Sequence, residues 1–128
     1  MSAQVRGRDF RKLKVWERGH QLALDAYRVT ATFPRDEQFG LTSQIRRGAA
    51  SVPANIAEGC GRGGGDLSRF CRIAIGSAAE LQYHVLLARD LGYLGEPDFD
   101  RLHRQANEIE RMLSVFIERL ADEENLGA

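Results

Sequence analysis

Between Phe99 and Leu120 the residues Phe99, Leu102, Ala106, Ile109, Leu113, Phe116 and Leu120 recur at alternating steps of three and four without a break. That spacing lays all seven along one side of an α-helix, whereas a strand would need alternation at every second residue. A helix with one apolar side is not stable alone in water and has to bury that side against other elements. Pro97 suits the first turn of this helix, where a missing amide has no intrahelical bond to lose.

The rest of the chain supplies three partners of the same kind. Val15, Gly19, Leu22, Ala26, Val29 and Phe33 step by four and three, Trp16, Ala23, Tyr27 and Thr30 widen the stripe, and Pro34 ends it. Leu41, Ile45, Ala49, Val52, Ile56 and Cys60 form the next stripe. Pro53 lies inside it with no amide for the Ala49 carbonyl, which predicts a kink rather than a boundary because the apolar register continues beyond. Leu67, Cys71, Ala74, Ala78, Leu81, Val85 and Ala88 make the third stripe, with Asp66 placed to cap its first amides and Gly92 to end it in the left-handed region. The expected fold is all-α, an antiparallel up-and-down four-helix bundle over 13–122, with helices at about 13–33, 41–61, 67–91 and 97–121. Residues 1–12 are expected as a mobile basic arm and 123–128 as a flexible tail.

The glycine-rich loop Gly61–Gly65 makes the second and third helices a hairpin, so residues whose numbers sum to about 128 should lie level. Two small-residue runs then meet, Gly48, Ala49, Ala50 and Ser51 against Gly76, Ser77, Ala78 and Ala79. Close approach of the backbones would offset the cost of Gly76 in mid-helix, up to about 1 kcal/mol relative to Ala.

A chain of 128 residues can bury a self-supporting core, and its two cysteines do not form the dense framework of a small secreted protein. No apolar run approaches the roughly 20 residues of a membrane-spanning helix, and no basic-then-apolar leader opens the sequence, so a cytoplasmic, non-membrane protein is expected. The formal charge is zero, yet residues 1–72 carry 13 basic and 7 acidic side chains while 73–128 carry 5 and 11. Such a split suits pairing across the bundle or between subunits, and equally a basic surface for a phosphate-bearing partner.

Little in the sequence speaks for catalysis. Gly59, Gly61 and Gly64 match G-x-G-x-x-G, but a helix precedes them instead of a strand, and Gly65 and Asp66 stand where a phosphate loop needs Lys and Ser or Thr. His20, His84 and His103 fall on three helices without zinc-site spacing, so no metal or other cofactor is expected. Cys60 and Cys71 sit on inner stripes near the same level, as reduced core thiols or as a redox pair. Glu58 and Glu80 are the only paired carboxylates worth weighing for an enzyme, which is the disfavoured reading, and no small-molecule substrate is expected. A polar row, Gln44, Arg47, Ser51, Asn55, Glu58 and Arg62, runs opposite the apolar stripe of the second helix, either as a solvated face or as an interface. Arg69, Arg72, Glu80 and Tyr83 on the third helix would extend it.

The run Gly40-Leu41-Thr42-Ser43-Gln44-Ile45-Arg46-Arg47, continued by Ser51-Val52-Pro53-Ala54-Asn55-Ile56-Ala57-Glu58-Gly59, resembles the four helix bundle proteins known as 23S rRNA intervening-sequence proteins. Leu13-Lys14-Val15-Trp16 is similar to the family's opening motif, and Arg69-Phe70, Ile73-Ala74, Gly76-Ser77, Glu80-Leu81 and Leu91-Gly92-Tyr93 to its third helix. Gly48 and Cys60 stand where that family would have Ala and an aromatic residue. The resemblance implies a four-helix protomer, a homopentameric ring and a gene often carried within an rRNA insertion. It extends to the basic accessory variability determinants of diversity-generating retroelements, from which this chain departs in having no net positive charge.

The expected function is that of a non-enzymatic homo-oligomer, a pentamer, associated with RNA or an RNA-associated protein through Arg6, Arg8, Arg11, Lys12, Lys14, Arg46, Arg47 and Arg62. The oligomer interface is expected at Gln44, Arg47, Ser51, Asn55, Glu58, Arg69, Arg72, Glu80 and Tyr83. The alternative is a protein-binding scaffold that makes no nucleic-acid contact.

Overall fold

The structure, a computed structural model, describes residues 8–127 of the 128. Helix α1 spans Lys14–Thr30, α2 Leu41–Arg62, α3 Asp66–Asp90 and α4 Glu96–Gly127, with 3-10 turns at Phe10–Lys12 and Arg35–Glu37. No strand occurs among the described residues. Each helix packs on its neighbours in sequence, and α1 also packs on α4, which closes an up-and-down four-helix bundle.

The stripes become the core. Every stripe residue named above is buried except Trp16 and Phe116, which are half-buried, and Tyr27, which is 49% exposed. Leu22, Ile45, Ile56, Leu81, Leu102, Ile109 and Leu113 are the largest fully enclosed side chains. Burying each of these contributes roughly 1.5–3 kcal/mol, and together they set which face of each helix turns inward.

The α2–α3 hairpin has the register its short loop dictates. Ser51 and Ser77 meet with their hydroxyl oxygens 2.7 Å apart, while Ala49 and Ala78 are fully buried. Near the loop a Cβ on Gly59 would lie 3.0 Å from the Phe70 Cβ and 3.2 Å from the Leu67 Cα, so a larger residue would push α3 outward by a few tenths of an ångström and glycine lets the two backbones converge there. Gly76 differs from expectation: it is exposed, and a Cβ built on it meets nothing within 4 Å. Its cost in the helix is therefore not offset by packing inside the protomer.

Several boundaries moved, each for a local reason. α1 stops at Thr30 rather than 33: the Thr30 hydroxyl donates back to the Ala26 carbonyl at 2.8 Å, and the Phe33 amide closes a tight turn onto Thr30 just before Pro34. α2 runs unbroken through Pro53. Asp66 opens α3 without capping it, its carboxylate being drawn to Arg62 and Arg69 at 3.6 Å each. α3 ends as expected, on Gly92 at φ 83°, with the Tyr93 amide bonded to the Ala88 carbonyl and the Gly92 amide to that of Arg89.

Helix α4 continues to Gly127, so the segment assigned as a tail is helical, and Ala121–Leu126 contains no glycine or proline to stop it. The basic arm is likewise not free over its described part. Phe10–Lys12 forms a turn, the Arg8 amide bonds to the Cys60 carbonyl at 3.3 Å, and residues 1–7 lie outside the described residues.

The charge split resolves in part into a ladder between α4 and the front of the chain. Arg8 pairs with Glu123 at 2.8 Å, Arg18 with Glu108 at 2.5 Å and Arg28 with Asp98 at 3.9 Å. Exposed pairs of this kind contribute at most about 1 kcal/mol each, but their antiparallel order matches the α1–α4 register.

Candidate functional site

The residues expected to bind phosphates do not form one patch. Arg6 lies outside the described residues. Arg8, Arg11, Lys12 and Lys14 gather where α1 begins, the end of the bundle that also holds Arg62. Arg46 and Arg47 lie about 22 Å away along α2, since 15 residues separate Arg47 from Arg62. Arg46 is committed to the fold: its guanidinium sits 4.7 Å from the Tyr27 ring centroid and donates to the Thr30 hydroxyl at 2.8 Å and the Tyr27 carbonyl at 3.3 Å. A cation at the C-terminus of α1 also complements that helix's dipole.

Arg62 is engaged in the same way, by Glu58 at 3.0 Å and by the Phe70 ring at 5.1 Å, with Arg69 on that ring at 4.6 Å. Arg11 donates to Asp9, and that hydrogen bond holds the Asp9 carboxyl below its ordinary range. Lys14 lies 3.8 Å from Glu17. Lys12 and Arg47 are exposed and have no acidic partner among the described residues.

The expected interface residues, by contrast, fall on the adjoining helices α2 and α3. Ser51 and Asn55 lie where the two helices meet and are satisfied within the protomer, the Asn55 amide donating to the Ser51 carbonyl at 2.8 Å and hydroxyl at 2.9 Å. Glu58 and Arg69 are tied up beside Arg62. Gln44, Arg47, Arg72 and Glu80 are exposed and make no side-chain hydrogen bond or ion pair among the described residues. Apolar side chains stand beside them on α3: Ile73 is 42% exposed, Tyr83 58% and Leu86 37%. Gly76, with open space around it, lies in the same row. On the adjoining α1–α2 side of the bundle, Trp16, Leu24, Tyr27, Pro53 and Ala54 line an apolar groove of about 480 Å³.

Two features escaped the sequence. Arg111 and Arg119 on α4 join Arg8 and Lys14 around a groove, and the signal was an exposed Val115 midway between two arginines at steps of four. Asp25 is a buried acid satisfied by Gln21 at 3.3 Å and Gln105 at 2.8 Å, with Arg28 at 3.8 Å, a set that only the α1–α4 register could reveal.

Cys60 and Cys71 are buried free thiols, and burial pushes Cys71 up to about 11, which keeps it protonated and unreactive at neutral pH. No group of three or more His, Cys, Asp or Glu residues among those described is placed to hold a metal ion. No helix among the described residues is long and apolar enough to cross a membrane.

No curated protein matches this sequence. Among solved structures, the chain is similar to a protein of unknown function from the S23 ribosomal protein family of Bacteroides thetaiotaomicron, solved at 1.70 Å. The two are 22% identical over 81% of this chain and 95% of the other, with a TM-score of 0.73, a likeness that speaks to the fold. The model of the family described as 23S rRNA-intervening sequence protein matches residues 11–115, which take in all of α1, α2 and α3 and most of α4. The chain belongs to the 23S rRNA-intervening sequence protein family.

Proposed function

We propose that this chain is a non-enzymatic cytoplasmic protein that assembles with copies of itself into a pentameric ring and associates with RNA or an RNA-bound protein. The observation that carries the assembly is the outer face of α2 and α3, where unsatisfied Gln44, Arg47, Arg72 and Glu80 surround exposed Ile73, Tyr83 and Leu86. Apolar residues rimmed by polar groups with unused hydrogen-bonding capacity are the anatomy of a protein interface. A ring needs two different complementary surfaces on each protomer, and the apolar groove between α1 and α2 supplies the second. Gly76 then has a reason: a neighbouring subunit approaches where no side chain intrudes.

Support for RNA is of another kind. The family's description names 23S rRNA, and the start of α1 carries a cluster of basic residues. With one protomer neutral overall, a ring that repeats this basic end several times gains affinity through multivalency.

Light scattering behind size exclusion, followed by a gel shift with single-stranded RNA across a salt series, tests both parts. A mass near five times 14.3 kDa is expected. Log affinity should fall linearly with log salt, with a slope near −0.7 per neutralised phosphate. A ring that binds no RNA at low salt would select the protein scaffold instead. That outcome agrees with the ladder in which Arg8, Arg18 and Arg28 already face acids of the same chain.

A further inference from the structure

Beside the start of α1, a groove of about 540 Å³ runs between that helix and the second half of α4, within the range of small-molecule sites. Its floor is apolar: Leu13, Val15, Met112, Val115 and Phe116. Val115 is 46% exposed on a helix face that otherwise carries Arg104, Glu108, Arg111, Glu118 and Arg119, so the floor is open to a ligand. Four cations, Arg8, Lys14, Arg111 and Arg119, surround it with a single acid, Glu123. Glu123 pairs with Arg8, whereas Arg111 and Arg119 have no acidic partner within salt-bridge distance among the described residues. In a chain with equal numbers of basic and acidic residues, this is a local excess of positive charge around an exposed apolar strip.

The geometry points to this groove as a binding site for an amphipathic anion, with a hydrocarbon tail on the apolar floor and a carboxylate or phosphate head held by Arg111 or Arg119. The two arginines stand eight residues apart on α4, about 12 Å, so either lies at an end of the strip. A guanidinium suits an oxyanion because it donates in pairs, and its aliphatic stem extends the apolar wall. Met112, Val115 and Phe116 span only about 6 Å of the helix axis, which covers part of one alkyl chain and falls short of the two-turn row of anchors that a docking helix needs. A nucleobase is poorly served, because the floor offers no side-chain donor or acceptor and the Arg8 guanidinium lies over the Phe116 ring at 5.5 Å from its centroid. The groove lies away from the faces proposed for assembly; it shares Arg8 and Lys14 with the basic cluster proposed for RNA, but its head group is assigned to Arg111 and Arg119, which that cluster does not include.

Isothermal titration of the full chain with dodecanoate and with dodecyl phosphate, both below micelle formation, tests it. Dodecyltrimethylammonium and inorganic phosphate serve as the charge and tail controls. Expected is one ligand per protomer for both anions, no saturable binding of the cation, and inorganic phosphate weaker by roughly 100-fold, as loss of the buried tail requires. Combined Arg111→Glu and Arg119→Glu changes should weaken the anions by roughly tenfold or more. Val115→Trp, at an exposed position that leaves the fold intact by circular dichroism, should block them by filling the floor. The relative affinities of the two anions identify which head is preferred. Failure of both to bind, equal binding of the cation, or inorganic phosphate as tight as dodecyl phosphate would each overturn the proposal. So would a short oligouridylate that binds in an Arg111- and Arg119-dependent way while dodecanoate does not, or a chain lacking residues 1–7 that binds dodecanoate much more tightly than the full chain.

Discussion

The inner face of the α2–α3 pair is apolar and small, whereas the outer face mixes charged groups with exposed apolar side chains. Inside, Ala49 and Ala78 are fully buried beside the Ser51–Ser77 contact, and every side chain of the two stripes is buried. Outside, Arg47 and Glu80 have no ion-pair partner among the described residues, and Ile73 and Tyr83 are exposed. Small side chains at the seam let the backbones close on each other, so the inner face is complete within one protomer. The outer face is complete only if something else covers it. Substitutions on the inner face should therefore cost protomer stability, and substitutions on the outer face should cost assembly.

The largest effect belongs to Leu81, which is 1% exposed in the centre of the core. Leu81→Ala should destabilise the protomer by about 2–5 kcal/mol, read as a fall in denaturant midpoint with an unchanged slope. Overpacking the seam comes next. Ala49→Leu or Ala78→Leu should each cost about 1–3 kcal/mol, against almost nothing for the same change at Ala121, exposed on α4 away from both proposed assembly faces. Equal midpoints for all three variants and the wild type would show that the seam is not closed. Ser51→Ala is milder, because the Asn55 amide keeps the Ser51 carbonyl as an acceptor, and about 0.5–1.5 kcal/mol is expected. A loss well above that would mean that the Ser51–Ser77 contact fixes the register alone, without help from the alanines.

The sequence carried the helices because a period of 3.6 residues is a local property, and it carried the hairpin register because a short glycine loop fixes the offset between Ser51 and Ser77. What it did not carry depended on which exposed faces come together. Arg46 read as a free cation until α1 placed the Tyr27 carbonyl and Thr30 hydroxyl beneath it. Arg111 and Arg119 read as part of an acidic back half until α4 brought them beside Arg8 and Lys14. Asp66 had the chemistry of a cap, but two arginines within one turn on either side competed for its carboxylate. Gly76 looked like a packing glycine because its level in the hairpin was right while its direction was not.

Gly76 is where the two faces can be separated most cleanly. A Cβ there meets nothing within 4 Å in the protomer, and any residue but proline is a better helix former than glycine, so Gly76→Trp leaves the isolated fold intact. Light scattering on this variant, alongside far-ultraviolet circular dichroism, tests whether the outer α2–α3 face is the contact between subunits. The account predicts a wild-type mass near five times 14.3 kDa and a variant that keeps the helical signal but falls toward a single 14.3 kDa protomer. A wild type that is already a monomer, or a Gly76→Trp variant that keeps the wild-type assembly mass, would contradict it.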